Sequence, residues 1–262
     1  MKGPRSGSVR GCGAPGPRDH LLKGARDMKC ILTACVVALV AGMASGDVYN
    51  DNVGNHLAGG DLHDFFASQG FNHLDIVSVG VTNDATNLYF DIQLNASLDV
   101  TNWGKYCVGI NNSQGGPSSD GNGWGRNINW GGAHITHWIG TWADDNGDDI
   151  GGQVWSYDGV GWNLTDGLTS ADASQHGAGH QIFSVSLASL GVGFGDVILF
   201  DVISTGGGND PGVDHLSRFD YATDNWGTTS VAGNFLAYTI VPAPSAVALL
   251  GLGGLTIARR RR

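Results

Sequence analysis

The sequence contains no glutamate, and the stretch from Asp47 to Ile240 holds only three cations, Lys105, Arg126 and Arg218, against 22 aspartates. The resulting formal charge of −19 excludes nucleic acid as a partner, because phosphate recognition depends on Lys and Arg. Cysteine is equally scarce there. Cys107 stands alone, so no intramolecular disulfide forms and the domain must be held by its core, with metal as a further tie. Cys107 lies in an apolar run and is expected to be a small buried hydrophobe rather than a catalytic thiol. Without glutamate a helix-borne H-E-x-x-H zinc site is impossible, and neither a G-x-S-x-G nucleophile elbow nor a phosphate loop occurs.

The two ends differ from the middle. Residues 1–27 are rich in Gly, Pro and Arg, lack apolar periodicity and read as an overextended gene start. Residues 28–46 have the layout of a secretory signal peptide: Lys29, an apolar run from Ile31 to Val40, then Ala44-Ser45-Gly46, with cleavage expected before Asp47. Residues 241–262 join Pro242 and Pro244 to an apolar run and to Arg259, Arg260, Arg261 and Arg262. The run from Ala246 to Ala258 is shorter than the roughly 20 residues of a comfortable spanning helix, and the arginines favour the cytoplasmic side. This layout resembles a bacterial PEP-CTERM sorting signal, with Ala243 standing where that signal usually has Glu. The resemblance implies an exported chain, held transiently at the membrane by its C-terminal segment, processed by an exosortase-type enzyme and left at the cell surface or outside the cell.

Residues 47–240 are enough for one domain with a sizeable core. Glycine, asparagine and aspartate supply turns throughout, while strong helix formers are few. Leu88, Phe90, Ile92 and Leu94 alternate with Tyr89, Asp91 and Gln93, the period-two signature of a half-buried strand. With the run from Leu74 to Thr82 and the turn at Asn83–Thr86, this is the clearest hairpin of the chain. Further strands are expected near Val48 and over 105–110, 134–142, 153–157, 161–164, 181–187, 196–204 and 234–240, with one helix over 61–68. About ten strands and one short helix give an all-β class: a single antiparallel β-sandwich of jelly-roll or immunoglobulin-like type.

Aromatic residues are abundant. All eight tryptophans lie after Asp47, seven of them between Trp103 and Trp162. On a strand, Trp138 and Trp142 share one face while Ile135 and Ile139 take the other. If the isoleucines enter the core, the tryptophans face outward as flat rings on which sugars stack, with Trp124 and Trp155 completing a carbohydrate-binding set. The alternative is a second core layer that covers them. The stretches Trp103–Tyr106, Gly123–Ile128, Ile139–Trp142, Ser204–Gly207 and Asp214–Leu216 resemble the DOMON-like β-sandwiches related to family 9 carbohydrate-binding modules, in particular the accessory domains of glucodextranase-type enzymes. That resemblance covers roughly residues 74–226 and implies a β-sandwich, often with bound calcium, that takes sugars; exopolysaccharide is the ligand expected of a surface protein. DOMON relatives also bind haem, but the three methionines, Met1, Met28 and Met43, all precede Asp47 and leave no axial partner for a histidine.

Two acidic loops offer oxygen ligands of the kind a structural calcium ion requires. One holds Asp144, Asn146, Asp148 and Asp149, and the other Asp210 and Asp214; an ordinary Asp/Asn/Gly turn is the alternative for each. His134 and His137 fall on opposite faces of a strand, and His176 and His180 flank a Gly-rich loop. No pair of carboxylates is singled out for acid–base catalysis. The sequence therefore points to a non-catalytic, exported protein that binds carbohydrate through tryptophans, or else to a calcium-stabilised structural component of the surface or matrix.

Overall fold

The computed structural model describes residues 46–99, 103–145 and 149–242, with the side chains of Asp144, Asp145 and Asp149 excepted. The signal-peptide region, residues 1–27 and the sorting segment beyond Pro242 lie outside the described residues. Among the described residues, no helix is long and apolar enough to cross a membrane.

Fourteen strands form among the described residues. In chain order they are β1 (Asp47–Asn50), β2 (Ile76–Asn83), β3 (Asn87–Leu94), β4 (Lys105–Asn111), β5 (Ile128–Asn129), β6 (His137–Asp145), β7 (Asp149–Tyr157), β8 (Trp162–Gly167), β9 (Ser170–Asp172), β10 (His180–Ser186), β11 (Val197–Thr205), β12 (Gly212–His215), β13 (Ser230–Val231) and β14 (Leu236–Thr239). One antiparallel sheet has the order β1-β2-β3-β10-β9, and the other runs β12-β11-β4-β6-β7-β8, with β14 also paired to β11. A two-stranded parallel patch joins β13 to β5. The protein is thus all-β, with two antiparallel sheets packed face to face.

The expected hairpin is present. β2 and β3 pair Val79 with Ile92 and Val81 with Phe90, and the buried face of β3 is Leu88, Phe90, Ile92 and Leu94. Asp84 closes the turn: its Oδ1 accepts the Thr86 and Asn87 amides at 2.7 Å, and its Oδ2 accepts the Tyr89 hydroxyl at 2.7 Å. This is the aspartate-to-backbone turn chemistry that competes with regular structure. The helix is shorter than expected, α1 at Asp64–Ala67, because Asp61 and Leu62 are drawn inward and His63 acts as N-cap, its Nδ1 accepting the Phe65 amide at 3.2 Å. The additional strands β5, β9, β12 and β13 have two to four residues each, too few to leave a periodic pattern.

The main core lies between the sheets, where Val79, Val81, Phe90, Ile92 and Phe183 meet Tyr106, Val108, Ile110, Ile139, Phe200 and Val202. A second, smaller core sits on the outer face of the second sheet. It consists of Cys107, Ile128, Trp130, Ile135, Trp138, Ile203 and Ala232, and the long connection between β4 and β6 covers it. Cys107 is the buried hydrophobe expected, and burial pushes its thiol up to about 12. A methyl group on Gly109 would press on the Trp130 ring, so this position lets the covering segment approach the strand closely.

Candidate functional site

Trp138, Trp142, Trp155 and Trp162 lie on β6, β7 and β8. Cross-strand register sets Trp138 opposite Trp155 and Trp142 opposite Gly151, and Tyr157 opposite Trp162. The alternation expected for β6 holds for Ile139, which enters the main core, and for Trp138, which points the other way, but Ile135, expected beside Ile139, precedes the strand and joins Trp138 in the outer core. Trp138 nevertheless does not reach solvent. It is 0% exposed, because Trp130 and Trp124 pack on it edge-on at 6.1 and 6.0 Å. Its removal from the expected platform is a correction with a plain cause: strand periodicity fixes the face of a side chain but not what covers that face.

Trp124, Trp142 and Trp155 remain half-buried, each with part of its ring accessible, and Trp162 adds a fourth. Glycines make room for three of them. A Cβ on Gly140 would collide with the Trp124 ring, one on Gly151 with Trp142, and one on Gly123 with Trp155. Trp124 and Trp142 lie 6.1 Å apart between ring centres, tilted by 34°. Between them Gln153 accepts two indole N–H groups on one oxygen, from Trp124 at 2.8 Å and from Trp155 at 3.1 Å. That fixes the amide so that its Nε2 has no acceptor among the described residues. Arg126 stands over the Trp124 ring at 5.2 Å, and its Nη1 donates to the Gly208 carbonyl at 2.5 Å. Arg126 and Asn127 thus meet Gly208 and Asn209, far away in sequence.

The acidic loop of Asp144, Asn146, Asp148 and Asp149 lies outside what is described of the side chains. The two aspartates of the other expected metal loop have different surroundings. Asp210 stays beside Gly206, while Asp214, on β12, is buried and turns toward residues that sequence reading did not single out. The carboxylate oxygens of Asp51, Asp61 and Asp214 lie within 4.8 Å of one another. Asp75 adjoins them, its charge bearing on both Asp61 and Asp214. Asp61, Asp75 and Asp214 are essentially inaccessible to solvent. All four carboxyls are held above the usual carboxylate range, with burial as the largest cause in each. Neighbouring charge adds to it: Asp214 and Asp61 act on Asp51, and Asp61 and Asp75 on Asp214. No sequence signal finds this group, because its members come from the end of β1, the following loop, the start of β2 and the other sheet.

Neither histidine pair noted in the sequence is brought together. His134 is exposed and His137 buried, as their spacing predicts. His176 meets Gln181 at 3.0 Å and His180 meets Asp91 at 2.7 Å, so the two do not converge on one ligand. A hydrogen-bonded chain in the order of a serine–histidine–aspartate triad does occur. His215 Nδ1 lies 2.7 Å from Asp201 Oδ2, and His215 Nε2 lies 3.0 Å from Ser230 Oγ. All three side chains are 0% exposed, and Ser230 Oγ also accepts the Gly212 amide at 3.0 Å. A nucleophile needs room for a substrate carbonyl beside it. Here the chain fastens β11, β12 and β13 together instead.

No protein-family model matches the chain, and no curated protein or solved structure matches it either.

Proposed function

We propose that this is an exported, non-catalytic surface or extracellular protein that binds carbohydrate or exopolysaccharide on the outer face of β6, β7 and β8. The observation that carries the reading is the arrangement of Trp124 and Trp155 on Gln153, beside Trp142. Half-buried tryptophans lie against glycines of the sheet, around one amide whose N–H donors are left over. Sugar rings offer polarised C–H groups to such faces and hydroxyl acceptors to such an amide. In this reading Trp124, Trp142 and Trp155 stack on the glycan, Trp162 extends the surface, and Trp138 supports it from below. The sandwich is a jelly-roll or immunoglobulin-like module akin to the DOMON-like domains. The N-terminal signal and the Pro242/Pro244 segment with its arginines direct export and exosortase-type sorting.

The test is retention of the full-length chain on immobilised polysaccharides, wild type against Trp124→Ala/Trp142→Ala and Gln153→Ala. Loss of retention in folded variants supports the reading, and retention equal to wild type overturns it. A second reading, a calcium-stabilised structural surface or matrix component with no specific ligand, is favoured by the burial of Trp138, since half of the strand-borne pair belongs to a core. Equal indifference of wild type and variants to every polysaccharide would favour that role.

A further inference from the structure

The four-aspartate cluster violates the rule that buried charge is paired. Asp61 is 0% exposed and neither of its carboxylate oxygens has a hydrogen-bond partner. Asp51 Oδ2 and Asp75 Oδ1 are buried without a partner as well. The remaining oxygens are oriented by backbone and amide donors: Asp51 Oδ1 accepts from Asn52 at 2.9 Å, Asp75 Oδ2 from Gly54 at 2.9 Å and from Asn95 Nδ2 at 2.8 Å. Asp214 is oriented on both sides, its Oδ2 accepting from the Ile76 amide at 2.7 Å and its Oδ1 from His215 at 2.8 Å. The ion pairs His180–Asp91, His215–Asp201 and Arg218–Asp220 involve none of the four. Leaving one buried ionised carboxylate without a counter-charge is costly, and gathering several multiplies the cost.

We infer that Asp51, Asp61, Asp75 and Asp214 form a binding site for one calcium ion, with the partnerless oxygens of Asp51, Asp61 and Asp75 directed at the metal and Asp214 completing the set. The donors are all hard oxygens, with no thiolate or imidazole among the clustered groups, which is the ligand chemistry of calcium rather than zinc. The backbone and amide hydrogen bonds do for these carboxylates what outer-shell partners do in metal sites generally: they hold one oxygen of Asp51 and of Asp75 in place and leave the other without a donor. The ion ties the end of β1, the loop before α1 and the start of β2 in one sheet to β12 of the other. It cross-links positions that are far apart in the chain, where closure entropy makes a tie most effective. This site is distinct from the loop of Asp144 to Asp149 and from Asp210, and it stands whether or not the tryptophan face binds glycan.

The experiment uses the full-length chain stripped with chelator and titrated calorimetrically with calcium chloride, with melting followed in parallel. Wild type is expected to take up one ion per chain at this site and, at a hundredfold excess over Kd, to melt about 5–10 °C higher. Asp61→Asn and Asp51→Asn keep shape while removing charge from a buried group, so both are expected to fold and to lose the uptake and the rise. The control pair Asp144→Asn/Asp148→Asn is expected to keep both. The inference is overturned if wild type shows no uptake, or if Asp61→Asn binds and melts as wild type does while the control pair loses binding. An equal or larger rise with magnesium would overturn the assignment to calcium.

Discussion

Replacing Trp138 by alanine separates support from contact. The indole is 0% exposed and packs in the outer core against Trp130 and Trp124, with Cys107, Ile135 and Ile203 around it. Truncating a buried Trp to Ala costs about 3–5 kcal/mol, because the lost transfer energy is joined by a cavity that relaxes only in part. Trp138 Nε1 is buried with no hydrogen-bond partner, so the substitution also removes an unsatisfied donor and the cost falls toward about 3 kcal/mol. For a domain of this size each kcal/mol moves Tm by about 2–4 °C, which gives a loss of roughly 6–12 °C for Trp138→Ala. Trp142 is half-buried over Gly151 and surrenders less area, so Trp142→Ala should lose roughly 2–5 °C. The assay is thermal melting by circular dichroism, with polysaccharide affinity electrophoresis on the same samples below both transitions. Trp142→Ala should lose retention with modest destabilisation, and Trp138→Ala should be strongly destabilised. A Trp138→Ala protein melting within about 2 °C of wild type would refute the outer core.

Other substitutions probe separate parts of the account. Gly140→Ala should displace the Trp124 ring that lies on that glycine, weakening glycan retention and shifting tryptophan fluorescence to the red, whereas Gly161→Ala, whose Cβ would meet open space, should change neither. Ser230→Ala should cost about 1–2 kcal/mol in urea unfolding by leaving the Gly212 amide and His215 Nε2 without their partner, and ester turnover should be absent before and after it. Burial holds His137 down to about 4, so its imidazole is neutral in the folded chain while the unfolded chain protonates near 6.5. The folded state then binds fewer protons between those values, so the contribution of His137 is complete above about 6.5 and is lost as pH falls toward 4. Between pH 7.5 and 4.5, urea midpoints of His137→Gln should fall less than those of wild type, the terms shared by both proteins cancelling. Equal falls would contradict this.

The sequence makes some of this fold directly readable. β3 alternates apolar and polar side chains over its whole length, and Asp84 marks its turn, so local periodicity and turn chemistry agree there. β12 is also central, since it carries Asp214 and His215, yet its four residues are all buried and show no alternation. The tryptophan face is legible in part: period two assigned Trp138 and Ile139 to opposite sides, but the covering segment around Ile128 and Trp130 arises from tertiary contact and leaves no mark on β6 itself. The aspartate cluster is the least legible feature. Asp51, Asp61, Asp75 and Asp214 follow no ligand spacing, because four separate segments bring them together, while the conspicuous run near Asp148 attracts attention by density alone. Spatial metal or ligand sites of this sort become visible only when burial and unmet hydrogen bonding are considered together.

The most direct test of the central claim is retention of the full-length chain on a panel of polysaccharides, wild type beside Trp124→Ala/Trp142→Ala, with both confirmed folded. The account predicts binding to at least one defined polysaccharide by wild type and at least a tenfold loss, about 1.4 kcal/mol, in the double variant. Undiminished binding by the double variant, or no binding by wild type to any member of the panel, would contradict it.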